Sequence, residues 1–207
     1  MDDEEFERLY GPWRPPSPVG VADLLGDFAG PWWIAGGWAI EARTGVRRPH
    51  EDVDVAIFWR DLPLLRTALA GRYHLWSAGS GALRPVNDDF PDLAPGAEQV
   101  WVREHARAPW LLDVLLTPDA DGDWVNKRDP EHHAPLEEVT SVIDGIRYLD
   151  LEIVLLFKAR LARPKDDADL AAALPLLRPA EVRRLAETIA RQAPDHPWLA
   201  RLGSAAS

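Results

Sequence analysis

The stretch Trp33-Ile34-Ala35-Gly36-Gly37-Trp38-Ala39-Ile40, followed by Arg48-Pro49-His50-Glu51-Asp52-Val53-Asp54-Val55-Ala56-Ile57, constrains this chain more than any other. An apolar run ends on two glycines, and a helix start follows. Val53, Val55 and Ile57 then alternate with Asp52, Asp54 and Ala56, the period-two pattern of a strand. Residues two apart on a strand share a face, so Asp52 and Asp54 project side by side while the valines enter a core. Two neighbouring anions repel each other unless a cation bridges them. Oxygen donors of this kind suit Mg²⁺, which keeps waters and substrate phosphates in its shell.

Two further features give the acidic strand its context. Asp113 interrupts the apolar run Trp110-Leu111-Leu112-Asp113-Val114-Leu115-Leu116, and a lone acid in such a run needs a partner or a metal. Gly36 and Gly37 let the backbone approach a ligand closely and present N–H groups near a helix start, a setting for a phosphate. Taken singly, the glycine pair reads as an ordinary strand-to-helix turn and Asp-x-Asp as a solvated strand face. Together with Asp113 they favour a functional reading.

The chain has 207 residues, 46% of them apolar, which suffices for a real core and argues against global disorder. It has no cysteine, so disulfides and thiolate metal sites are excluded, in keeping with a reducing, cytoplasmic setting. The acidic start Met1-Asp2-Asp3-Glu4-Glu5 lacks the apolar segment of a secretory signal. The longest apolar run, 153–157, is far too short to span a membrane. The net charge of −11 disfavours broad nucleic-acid binding and would attract a cationic small molecule. Most of the ten tryptophans are expected in the core, with some lining a cleft. Nothing in the sequence fixes the oligomeric state.

The pattern along the chain predicts an α/β (α+β) protein. Residues 1–18 read as a loose N-terminal arm, 19–150 as the α/β domain and 151–207 as a helical domain. Strands are expected over 32–35, 53–57, 73–77, 99–103 and 110–117, and helices over 19–28, 38–43, 62–70, 151–161, 166–177 and 179–192.

Gly36-Gly37-Trp38-Ala39-Ile40 with Arg48-x-His50-x-Asp52-x-Asp54 resembles the antibiotic nucleotidyltransferases of the DNA polymerase β superfamily, above all the aminoglycoside 2''-nucleotidyltransferases and the related lincosamide nucleotidyltransferases. The likeness is specific over residues 32–58, extends to Asp113, and is diffuse in the C-terminal half. It implies a nucleotidyltransferase fold with a short mixed sheet and a C-terminal helical domain. It also implies Mg²⁺, ATP or another NTP as co-substrate, and pyrophosphate as product. By this resemblance Gly36 and Gly37 hold the triphosphate, Asp52 and Asp54 ligate the metal, and Asp113 is the third acid, as metal ligand, general base or both. The implied acceptor is a small molecule, with aminoglycoside and lincosamide antibiotics as candidates. The segment 73–107 departs from those enzymes, which leaves the acceptor open. Two alternatives stand: a toxin-like nucleotidyltransferase acting on tRNA or protein, and a non-catalytic nucleotide-binding module.

Secondary candidates follow the same logic. Lys158 shares a helical stripe with Val154 and Leu155, and either reaches solvent or meets an anion; relatives often place such a lysine on nucleotide phosphates. Lys165-Asp166-Asp167-Ala168-Asp169 resembles a Lys-Asp-x-x-Asp stretch of nucleotidyltransferase-like families, although a capped helix start accounts for it as well. His50 either orients an acid or touches the nucleotide, or is a loop histidine with local hydrogen bonds.

Overall fold

The computed structural model describes residues 3–205. Helices α1 (Asp3–Tyr10) and α2 (Pro18–Leu24) precede strand β1 (Trp32–Ile34) and helix α3 (Gly36–Thr44). Then come β2 (Asp54–Phe58), α4 (Leu62–Leu69), β3 (His74–Gly79), β4 (Ala82–Val86), β5 (Gln99–Arg103) and β6 (Leu112–Thr117). Short strands β7 (Asp119–Ala120), β8 (Asp123–Val125) and β9 (His133–Ala134) lead to β10 (Thr140–Ile143) and β11 (Ile146–Leu149). Helices α5 (Leu151–Ala159), α6 (Pro164–Ala173), α7 (Pro179–Gln192) and α8 (Trp198–Ala205) follow.

The sequence suggests a boundary near Asp150, but the compact units divide differently. One comprises the chain up to Ile34 together with Pro49–Asp119; the other comprises Ala35–Arg48 and the chain from Ala120 onward. Helix α3 is thus grouped with the C-terminal helices.

In the first unit the strands run in the order β1-β2-β6-β5-β3-β4. Only β2 and β6 pair in parallel; the other neighbours are antiparallel. Val55, Ile57, Val100, Val102, Leu112, Val114 and Leu116 are fully buried. Each such side chain stabilises the fold by about 1.5–3 kcal/mol. Strand β4 was not expected from the sequence. It returns from β3 through Ser80 and Gly81, whose φ values of 52° and 75° suit a two-residue hairpin turn. Pro85 is tolerated because β4 lies at the sheet edge.

The arm expected over 1–18 holds a helix and is tied to the strand region by main-chain bonds. Arg14 N–H donates to the Trp110 carbonyl at 2.8 Å, and Trp110 N–H to the Pro12 carbonyl at 2.9 Å. Trp110 Nε1–H donates to the Tyr10 carbonyl at 2.7 Å.

In the second unit, α3 begins at Gly36 and ends at Gly45, whose φ of 71° supplies the left-handed cap. Helix α3 packs on α5 and α6, α5 on α7, and α7 on α8. Helix α5 buries Leu151, Ile153, Val154, Leu155 and Leu156, and also Glu152, which accepts a bond from Arg184 Nε at 2.6 Å, so burial extends all round the helix. Asp144 and Gly145, at φ 50° and 79°, close the β10–β11 hairpin.

Candidate active site

The register of the sheet brings the acids together. Asp54 opens β2, and parallel pairing sets Asp113 of β6 directly opposite it. Neighbouring strands lie about 4.8 Å apart, and residues paired this way share a face. Asp113 N–H also donates to the Val53 carbonyl at 3.3 Å, which continues the pairing one residue upstream of β2. Asp54 and Asp113 are half-buried, whereas Asp52 is exposed. Asp52 and Asp113 both line a cavity of about 450 Å³, with Glu51 at the same wall.

The donor set fits a hard divalent cation in kind: every candidate ligand is a carboxylate oxygen, and two of the acids are cross-strand neighbours. Among the described residues, however, no three His, Asp or Glu side chains form a group that could hold a metal ion. Asp54 and Asp113 are register neighbours and Asp52 and Asp113 share a cavity, yet the side chains do not form a complete chelate.

Gly36 is the first residue of α3, with φ 60°, a conformation in which a side chain would strain the backbone. The preceding Ala35 supplies no side-chain cap to the helix start. Gly37 follows in the first turn. Both glycines fall in the second compact unit and the three aspartates in the first. His50 is half-buried.

Lys158 meets anions, and those anions are the protein's own. Its Nζ lies 2.9 Å from Asp169 and 3.3 Å from Asp166. Arg48 grips Asp169 through Nε at 3.0 Å and Nη2 at 3.1 Å. Arg163 binds Asp166 through Nε at 2.8 Å and Nη2 at 3.2 Å, and its N–H donates to the same carboxylate at 3.0 Å. Burial pushes the Asp166 carboxyl up, but the bonds from Arg163 and the charge of Lys158 outweigh it and hold the acid below the usual aspartate range. Asp166 and Asp169, the two acids of the Lys-Asp-x-x-Asp stretch, therefore anchor a buried ion-pair network with Lys158, Arg48 and Arg163, and Asp166 lies in the first turn of α6.

None of the sequence motifs includes Phe6, Glu7, Trp13 or Trp101, which also line the cavity beside Asp113. A signal was present for some of them. Trp101 alternates with Val100 and Val102 on β5 and is paired with Asp113, so the acid and the indole share a face. Phe6 and Tyr10 are four apart on α1, and their ring centroids lie 5.0 Å apart.

Comparison with known proteins points the same way. The family model for aminoglycoside-2''-adenylyltransferases matches residues 19–73, a span holding Gly36, Gly37, His50, Asp52 and Asp54 but neither Asp113 nor Lys158. The crystal structure of ANT(2'')-Ia in complex with adenylyl-2''-tobramycin is 20% identical, with a TM-score of 0.53 over 85% of this chain and 95% of that one. The solution structure of the antibiotic-resistance factor ANT(2'')-Ia is 22% identical, with a TM-score of 0.52 over 86% of this chain and 90% of that one. No curated protein matches the chain. The family match over residues 19–73 and the likeness of fold make the chain similar to enzymes of the nucleotidyltransferase class. Within that class the likeness is to the aminoglycoside-2''-adenylyltransferases. Among the described residues no helix is long and apolar enough to cross a membrane.

Proposed function

We propose that this chain is an enzyme that transfers a nucleoside monophosphate, AMP by preference, from an NTP to a hydroxyl of a small acceptor, with aminoglycosides and lincosamides as the first acceptors to try. The observation that carries the reading is the β2–β6 register, with Asp54 opposite Asp113 and Asp113 beside Asp52 on one cavity. A cavity of about 450 Å³ is in the range used for small molecules.

In this reading the acceptor O–H attacks the α-phosphorus, the bond to the bridging oxygen breaks, and pyrophosphate leaves. Asp113 takes the hydroxyl proton. Asp52, Asp54 and Asp113 would hold Mg²⁺, which when bound neutralises phosphate charge. Gly36 and Gly37 approach the triphosphate through backbone N–H groups. His50, at the approach to the acids, touches the nucleotide, and Lys158 contributes positive charge to the phosphates. Since Lys158 contacts Asp166 and Asp169 here, any phosphate contact by its Nζ is shared with those acids.

Pyrophosphate release across a panel of NTPs with aminoglycosides and lincosamides tests this. Acceptor-dependent release that needs Mg²⁺ and disappears in Asp54→Asn is expected. Undiminished turnover in that variant would defeat the proposal.

A further inference from the structure

The cavity beside Asp52 and Asp113 has a second wall that the transfer chemistry does not use. Phe6, Trp13 and Trp101 provide aromatic surface, and Glu7 and Glu51 add carboxylates. No lysine or arginine is among its described lining residues. Such a lining repels a triphosphate and attracts a cation, so it distinguishes acceptor from nucleotide.

The rings brace one another. The Trp101 centroid lies 5.1 Å from Trp13, 6.0 Å from Phe6 and 6.2 Å from Tyr10. Two main-chain bonds and the Trp110 indole N–H tie the arm to Trp110 and hold Trp13 in this wall. The wall is therefore built before any ligand arrives, and little ordering cost remains.

This aromatic cluster already holds one cation. The buried guanidinium of Arg103 sits 4.0 Å from the Trp110 centroid and 4.5 Å from that of Trp76. Trp110 in turn packs on Trp101 at 5.3 Å. The indole faces attract positive charge, and those at the cavity are flanked by carboxylates as well.

The geometry points to a binding site for an organic cation that carries an apolar ring. Phe6, Trp13 and Trp101 cover the ring, while Glu7 supplies the counter-charge, with Glu51 at the same wall. The inference rests on the transferase reading only in taking this cation to be the acceptor. A purely hydroxylated amine would engage the carboxylates and leave the aromatic surface uncovered. The N-terminal arm is thus a specificity-determining element, and Phe6 and Glu7 are its ligand-contacting residues.

Calorimetric titration of the full chain with benzyltrimethylammonium, without nucleotide, tests the site apart from catalysis. The cation should bind about 5-fold or more tighter than benzyl alcohol, which lacks the charge, and than tetramethylammonium, which lacks the ring. Phe6→Ala and Glu7→Gln should each weaken binding about 5-fold. Glu7 is exposed, so Glu7→Gln keeps the arm packed and serves even if Phe6→Ala loosens it. Equal binding of benzyl alcohol and the cation, or wild-type affinity in Glu7→Gln, would overturn the inference. Cation binding without pyrophosphate release under any condition would sink the transferase reading and leave the site standing. Release without cation binding would do the reverse.

Discussion

Asp166 and Asp169 in the helical unit and Asp52 and Asp113 in the sheet unit are the same side chain in opposite settings. The first two are buried against Lys158, Arg48 and Arg163, each within 3.3 Å. The second two line a cavity whose described lining carries no lysine or arginine. Where the protein brings its own cations, the acids hold helices together. Where a cavity opens beside them, the acids are within reach of whatever enters it. A cluster of carboxylates in a sequence does not reveal which setting it has; the distinction lies in what the fold places opposite.

The comparison breaks if acids of the sheet unit turn out to be structural. Asp113→Asn should lower acceptor-dependent pyrophosphate release by about 10³-fold or more, because it removes both a ligand oxygen and the proton acceptor. Its urea midpoint should stay near wild type. A large fall in stability with retained turnover would place Asp113 with Asp169.

The converse holds for the helical unit. Asp169→Ala leaves Arg48 and Lys158 facing a buried gap and should cost about 3–5 kcal/mol in urea unfolding. Lys158→Met sharpens the contrast. If Lys158 serves only the network, the variant should lose stability while KM for the NTP stays unchanged once folded protein is counted. If it also serves phosphate, that KM should rise about 10-fold with it.

The smallest effect is in pH. The Asp166 carboxyl is held below its ordinary value in the folded chain, so the unfolded chain takes up the proton first as pH falls. Its stabilising contribution is thus complete above the ordinary aspartate range and is lost as pH drops below about 4 and through the folded value. Acid unfolding of Asp166→Asn should show a shallower dependence there than wild type.

Much of this was legible in the sequence. Val53, Asp54, Val55 and Ile57 announce a strand through alternation, and Pro179 marks the first position of α7. Asp113 stands out because the run around it is apolar. What the sequence left unread depends on distant pairing. Lys158 and Asp169 are on different helices, so their contact is tertiary and no local spacing encodes it. The arm's role depends on Trp13 bridging to Trp110, about a hundred residues on. Strand β4 escaped notice because Pro85 and Arg84 disguise an edge strand as a loop. The start of α6 at Pro164 is readable from proline at the first helical position, two residues ahead of Asp166, where the acidic stretch suggests it.

The central claim is that Asp52, Asp54 and Asp113 together take a divalent ion when nucleotide is present. Titration of Mn²⁺ followed by electron paramagnetic resonance, with a non-hydrolysable ATP analogue, reads this directly. Nucleotide-dependent Mn²⁺ binding to the wild type, lost in both Asp54→Asn and Asp113→Asn but kept in Asp169→Asn, is the predicted result. Equal Mn²⁺ binding by all four proteins, or none by the wild type, would contradict it.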